Sequence, residues 1–244
     1  MITKVEGIII NTSDYSESSK ILNILTKEYG IIGVIAKGCR RLKSELRMVS
    51  EKLIYGSFNL YYKEGKISTL ISVDVINNFK EIRKDIIKIS YASFLLELAQ
   101  QVYKQNQHPE VYDLLINSLT KIDEGFDPMV ITNIVELKYL DYLGVTPILD
   151  CCASCSKTNS IVSISVLKGG YVCSNCRTTE PLVSEKTIKM IRMFYYVDVS
   201  KISKIDISDK VKKEVNHFLD QYYSEYTGLY LKSKEFLKNL YEIS

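Results

Sequence analysis

The chain has no tryptophan and only two histidines in 244 residues. Those two, His108 and His217, lie far along the sequence from the cysteines, so a histidine-based catalytic metal site is hard to build. No apolar run approaches the roughly 18 residues that a transmembrane helix needs, so no membrane contact is expected. No basic segment followed by an apolar one opens the sequence, so a secretory leader is not expected either. A GxxxxGK(S/T) phosphate loop, an HExxH pair and a GxSxG elbow are all missing. Acidic residues form no tight cluster of the kind a two-metal nuclease needs. With neither internal repeats nor low-complexity tracts, the chain does not read as an enzyme or as a repeat array.

Hydrophobic residues make up 46% and charged residues 25% of the chain. That mixture is ordinary for a globular protein and allows a real core. The net charge of +3 hides an uneven distribution. Residues 1–80 carry 12 basic against 8 acidic side chains, residues 81–150 carry 6 against 11, and residues 151–244 carry 14 against 10. A basic end, an acidic middle and a basic end suggest modules with different partners.

Four of the six cysteines stand in two pairs, Cys152 with Cys155 and Cys173 with Cys176, with 17 residues between the pairs. Two thiolates three positions apart reach one ion from a tight turn, and two such knuckles complete a closed tetrahedral site suited to Zn²⁺. In a reducing cytoplasm this pattern favours a metal over disulfides. Four sulfur ligands leave no open position, so one structural zinc ion is expected rather than a hydrolytic one. Cys151 could replace Cys152 in a Cys-x3-Cys pair. Cys152 is preferred, because both knuckles then share one geometry. The segment between the knuckles is polar and short, so the metal is expected to hold it together. Gly169 and Gly170 give the backbone freedom to turn into the second knuckle. Cys39 lies apart, beside basic residues, and reads as a small buried side chain.

Periodicity divides the chain at about residue 79. Before it, five short strands are expected: Val5–Ile10, Lys20–Thr26, Gly30–Ala36, Lys52–Tyr62 and Ile67–Ile76. The last two should form a hairpin, and together the five suggest a small closed barrel. After it, apolar residues recur at helical spacing. Helices are expected over Ile82–Tyr103, Val111–Ile122, Asp127–Leu143, Ser184–Tyr196, Ser208–Tyr226 and Leu229–Tyr241. Asp127 followed by Pro128 is a helix start, and Gly144 with Pro147 beyond is a helix stop. The fold class is thus α+β: an N-terminal five-stranded barrel over residues 1–79, then an all-helical domain over residues 80–244 with the cysteine segment 151–177 inserted.

The third strand runs into a basic stretch. Lys37, Arg40, Arg41, Lys43, Arg47 and Lys52 face only Glu45 and Glu51 between residues 37 and 52. Cations beside a small barrel are what phosphate binding requires. Tyr55, Phe58, Tyr61 and Tyr62 nearby offer base-stacking platforms. The alternative is a solvated charged loop with those aromatics in the barrel core. Six C-terminal lysines (Lys210, Lys212, Lys213, Lys232, Lys234, Lys238) read as a solvated helix face.

Several of these pieces occur together in one family. GIIGVIAKGCRRLKS, from Gly30 to Ser44, resembles the strand-then-AKGxRRxxS signature of the bacterial RecO family of recombination mediators. Glu17 and the KILNILT segment to Thr26 resemble that family's opening. Gly144 through Cys155 resembles its helix end and first knuckle, and Gly169 through Cys176 its second. The resemblance extends over essentially the whole chain. It implies an OB-fold, a helical domain with a zinc knuckle, and no catalysis. It implies binding of single- and double-stranded DNA and annealing of complementary strands. It also implies partnership with RecR, contact with single-stranded DNA-binding protein, and help in loading RecA, in the bacterial cytoplasm at the nucleoid. Lys37, Arg40, Arg41 and Lys43 match the basic part of the signature; Cys152, Cys155, Cys173 and Cys176 match the knuckles. Cys39 departs from a position that is more often a small residue such as Ala, and Ser156 from one where Gly is common. A zinc-ribbon transcription regulator or assembly adaptor is the alternative reading.

Overall fold

The computed structural model describes residues 2–243, with side chains to residue 237. Five strands, β1 (Ile2–Tyr15), β2 (Ser19–Thr26), β3 (Gly30–Ala36), β4 (Tyr55–Tyr61) and β5 (Ser68–Asn77), close into a barrel of order β1-β2-β3-β5-β4. This is the connectivity of an OB-type barrel, the fold that the family resemblance implies. Strand β1 is longer than its β-branched run. It pairs with β4 over Ile2–Ile8 and with β2 over Gly7–Tyr15, so one strand serves two neighbours. Its polar end, past Ile10, is mostly exposed, and pairing with β2 holds it extended where propensity alone would not. The register slips between Ile9 and Asn11, a bulge that bends the strand around the barrel.

Val5, Ile9, Leu22, Ile24, Val34, Phe58, Leu60 and Leu70 fill the barrel interior. Burying Phe58 alone contributes roughly 2–3 kcal/mol before entropy is counted. Closure between β3 and β5 is parallel and rests on two residue pairs, Val34 with Ser68 and Ile35 with Thr69.

The chain forms two compact units. The first comprises residues up to Asp123 and from Ser233 onward; the second is Glu124–Lys232. In the first, the barrel is joined by α1 (Lys80–Arg83), α2 (Ile86–Gln105) and α3 (Glu110–Asp123). The expected single helix from Ile82 is broken, because the Asp85 carboxylate accepts from the amides of Ile87 (2.8 Å) and Lys88 (3.2 Å) and starts α2 afresh. Asp123 closes α1 in the same way, accepting from the amides of Glu81 and Ile82 at 2.9 Å each. At Gly30 (φ +65°), a Cβ would meet the Tyr103 hydroxyl of α2 at 2.4 Å. A side chain there would collide with the helix. α7 (Lys232–Ile243) is seated by Glu97, which accepts from the Ser233 amide at 2.9 Å.

The second unit is built on α4 (Pro128–Tyr142), with α5 (Glu185–Tyr196) and α6 (Asp209–Tyr226) packed on it. Asp127 caps α4 as expected, accepting from Met129 (2.9 Å) and Val130 (3.2 Å). Gly144 ends it at φ +71°. Its amide bonds to the Asp141 carbonyl and the Val145 amide to the Leu140 carbonyl, both at 3.0 Å, which is a Schellman stop. Ser184 caps α5, but Ser208, at the cap position of α6, makes no side-chain cap bond. The segment between the knuckles forms a short hairpin, β6 (Ile161–Ser165) with β7 (Gly170–Cys173).

Candidate nucleic-acid surface and cysteine centre

The basic stretch follows β3 and carries no strand of its own. Its path is fixed by successive turns: the Arg41 amide bonds to Gly38, Ser44 to Arg41 and Arg47 to Ser44, each at 3.1 Å. Apolar anchors pin it to the barrel. Cys39 and Ile54 are part of the barrel core, Leu46 packs against it, and Leu53 and Ser50 are buried. Cys39 is thus a buried packing residue.

The six cations divide into three kinds. Lys37, Arg41, Lys43 and Arg47 are exposed and have no carboxylate within 4 Å among the described residues. Arg40 is exposed but pairs with Asp14 at 3.1 Å and reaches the Ser16 carbonyl at 3.4 Å. Lys52 is half-buried, and burial pushes its ammonium below the ordinary lysine range. Its carbonyl accepts from Arg83 at 2.5 Å, so this residue belongs as much to the barrel–helix joint as to the loop. Glu51 is drawn off to Lys20 at 2.7 Å. Asp14 is a partner of Arg40 that sequence reasoning missed, and its distance along the chain left no signal.

The four aromatics separate as well. Phe58 is fully buried and cannot stack on a base. The Tyr55 hydroxyl donates to Glu6 at 2.7 Å, and burial first, then that carboxylate, pushes its pKa up to about 12. Tyr62 is half-buried against Tyr29, with ring centres 4.8 Å apart. Only Tyr61 of the four is exposed. Among the C-terminal lysines, Lys212 is not part of a solvated face. It is mostly buried between Asp127 (2.6 Å) and Asp209 (3.1 Å). Lys210 is 3.9 Å from Glu214, Lys234 lies 5.4 Å from the Phe94 ring centre, and the side chain of Lys238 lies outside the described residues.

In the second unit, Cys152, Cys155, Cys173 and Cys176 converge, with all four Sγ atoms within 4.8 Å of one another. Cys151 is half-buried and outside the group. Four sulfurs around one zinc ion at 2.3 Å stand about 3.8 Å apart. The Sγ atoms of Cys155 and Cys173 are 3.7 Å apart, so the residues fit a metal of that kind. Backbone amides already aim at the sulfurs, among them Cys173 N–H on Cys152 at 3.4 Å. Burial disfavours the Cys152 thiolate. The amides of Cys173, Ser154 and Cys155 outweigh burial and bring its pKa down to about 6. Donation to Cys155 and Cys173 holds the Cys176 proton on, raising that thiol to about 12. A cation bound among these sulfurs would displace the protons they hold and take the place of the bonds between them.

Three features hold the knuckles in register. Gly170 (φ +156°) lies against Ile148, whose carbonyl oxygen would be 2.2 Å from a Cβ, so glycine is needed there for close approach rather than for a turn. The Tyr171 amide bonds to the Ile148 carbonyl at 2.9 Å, and the Tyr226 hydroxyl to the Val166 carbonyl at 2.6 Å. Lys168 donates to the Cys176 carbonyl at 2.8 Å and pairs with Glu180 at 2.6 Å, and that ammonium holds the Glu180 carboxyl down at about 2. Ser156 sits in the left-handed region at φ +60°, a conformation that suits glycine.

A closed barrel with a pinned basic loop, and a separate helical unit with a four-cysteine hairpin, make a two-part architecture of barrel plus helices. Residues 1–79 match the family model described as recombination protein O N terminal, and residues 83–235 match recombination protein O C terminal. The chain belongs to the RecO family of DNA repair proteins. It is 36% identical to the DNA repair protein RecO of Bacillus subtilis (strain 168), over 98% of this chain and 95% of that one. It is 37% identical to that of Bacillus cereus (strain B4264), over 98% of each. It is 35% identical to that of Halalkalibacterium halodurans, over 98% of this chain and 96% of the relative. No helix among the described residues is long and apolar enough to cross a membrane.

Proposed function

We propose that this chain is a non-catalytic mediator of DNA repair and recombination in the bacterial cytoplasm, working at the nucleoid. It binds single- and double-stranded DNA through Lys37, Arg40, Arg41, Lys43 and Arg47, with Lys52 at the margin. The observation that carries this reading is the display of four cations without carboxylate partners on a loop fixed to the barrel wall. A cation already paired gives up that partner when it binds phosphate; an unpaired one releases only counterions and water. Neutralised strands approach each other, and annealing follows from that. With RecR, the same protein helps load RecA onto DNA coated by single-stranded DNA-binding protein.

The functional boundary we draw falls at residues 79 and 80, between the DNA-binding barrel and a helical domain that docks partners. Zinc, held by Cys152, Cys155, Cys173 and Cys176, braces the knuckles of that domain. The ion supplies folding energy and no reaction step, because four thiolates leave it no free position. The proposed role needs no catalytic residue.

The test is a strand-annealing assay on DNA coated with its single-strand-binding protein, with and without RecR. Faster annealing on adding this chain, increased by RecR, is the expected result. Absence of stimulation, or binding that depends on one duplex sequence, removes the mediator reading.

A further inference from the structure

The cations of the basic stretch are interleaved with bare apolar side chains. Leu42 is 84% exposed and Met48 is 76% exposed. Among the described large apolar residues only Leu167 is as bare, so two of the three most exposed lie within seven positions of each other, in the same loop. Leu42 stands between Arg41 and Lys43, and Met48 follows Arg47.

Their exposure is built in. The anchors Cys39, Leu46 and Leu53 take the inward positions on the barrel. The turn bonds between Gly38 and Arg41, Arg41 and Ser44, and Ser44 and Arg47 fix the backbone that carries Leu42, and the Ser50 hydroxyl, donating to the Arg47 carbonyl at 3.4 Å, closes the turn that carries Met48. A solvated charged loop has no use for a leucine and a methionine held in water. A loop that grips phosphates on both sides of a leucine does.

We propose that Leu42 and Met48 are wedges: they enter between neighbouring bases of a single DNA strand whose phosphates are held by Arg41, Lys43 and Arg47. Leucine and methionine are among the apolar side chains that proteins insert between base steps of a duplex, partly unstacking them, and the same insertion would part the bases of a held single strand. Bases parted in this way present their pairing edges to a complementary strand. This rests on the DNA-binding role proposed above for the loop, and it adds the way the bases are handled.

The experiment uses the full-length protein and a single-stranded oligonucleotide with 2-aminopurine between two adenines, whose emission is quenched by stacking. At saturating wild-type protein, emission rises several-fold. The double variant Leu42→Ser with Met48→Ser, also at saturation, retains less than one third of that rise. Its slope of log affinity against log salt is unchanged, because no phosphate contact is lost. Swapping one wedge for another, Leu42→Met with Met48→Leu, keeps the full rise. A serine variant that raises emission as much as wild type overturns the wedge, as does one whose salt slope falls. In that case the two apolar residues serve a protein partner. Arg41→Ala with Lys43→Ala separates the two readings: unchanged affinity and slope there remove the loop from DNA altogether.

Discussion

The basic stretch has no strand or helix and the cysteine segment has a short hairpin, and the two are held by opposite means. The stretch from Lys37 to Leu53 is pinned from below by apolar anchors, so its charges stand in water. The hairpin is held by hydrogen bonds along its length, with Cys152 and Cys173 buried. In the first, most of the polar chemistry is exposed and removable without loss of fold. In the second, chemistry and fold are the same atoms. A residue's role therefore follows from whether its polar end or its apolar end carries the attachment.

That contrast can be broken most severely at the four cysteines, by removing the zinc ion proposed for them. Chelation, or Cys173→Ser, should lower the melting temperature of the second unit by roughly 10 °C or more, since structural zinc sites contribute folding energy directly. DNA affinity at fixed salt should move by less than about threefold. Zinc analysis alongside calorimetry and anisotropy checks both halves. Loss of DNA binding with the fold intact would falsify the division.

Next in size come two glycines, one in each region. Gly170→Ala sets a Cβ 2.2 Å from a backbone oxygen, whereas Gly38→Ala, at φ +67°, meets nothing nearer than 3.7 Å. Denaturant titration should give about 3 kcal/mol or more for the first. For the second it should give about 1–2 kcal/mol, the left-handed cost alone. Similar values would mean that the hairpin yields as easily as the loop.

Smaller in energy is the removal of charge from the basic stretch. Arg41→Ala with Lys43→Ala should weaken DNA binding roughly tenfold at ~0.1 M salt and flatten the salt slope by about 1.8 for two lost phosphates. Thermal stability should stay put, because both side chains are exposed. The smallest effect is expected from Asp14→Asn, which frees Arg40 from its 3.1 Å partner. An exposed pair of this kind contributes about 0–1 kcal/mol to stability. DNA affinity should tighten about twofold, read by anisotropy at low salt, and a loss of affinity would show that Asp14 positions Arg40 rather than competing for it.

The barrel was legible because its strands alternate or run β-branched between turns, and the Gly30–Ala36 strand matches its expected ends. The start and stop of α4 were legible because Asp127, Pro128 and Gly144 act through local hydrogen bonds. What escaped depends on distant residues. Strand β1 runs on to Tyr15 because β2 pairs with it, and the β6–β7 hairpin forms in a polar segment because Ile148 bonds to both Gly169 and Tyr171. The four cysteines could be named from spacing, but the Lys168–Glu180 brace could not, since its members are separated in sequence. Likewise the basic side chains were visible as a group, while Asp14 beside Arg40 and the burial of Lys52 came only from the fold.

The short parallel pairing of β3 with β5 has a mechanical consequence. Cut there, the barrel is a wholly antiparallel sheet of order β3-β2-β1-β4-β5, with β1 in the middle. Only two residue pairs separate that open sheet from the closed ring. Partial opening along this line leaves most of the ladder intact, so it lies well below global unfolding in free energy. Amides on β3 that face β5 should be the first of the barrel to exchange with deuterium. Lys37 is the next residue after β3, so any pull on the basic stretch is delivered first to the weakest line in the wall.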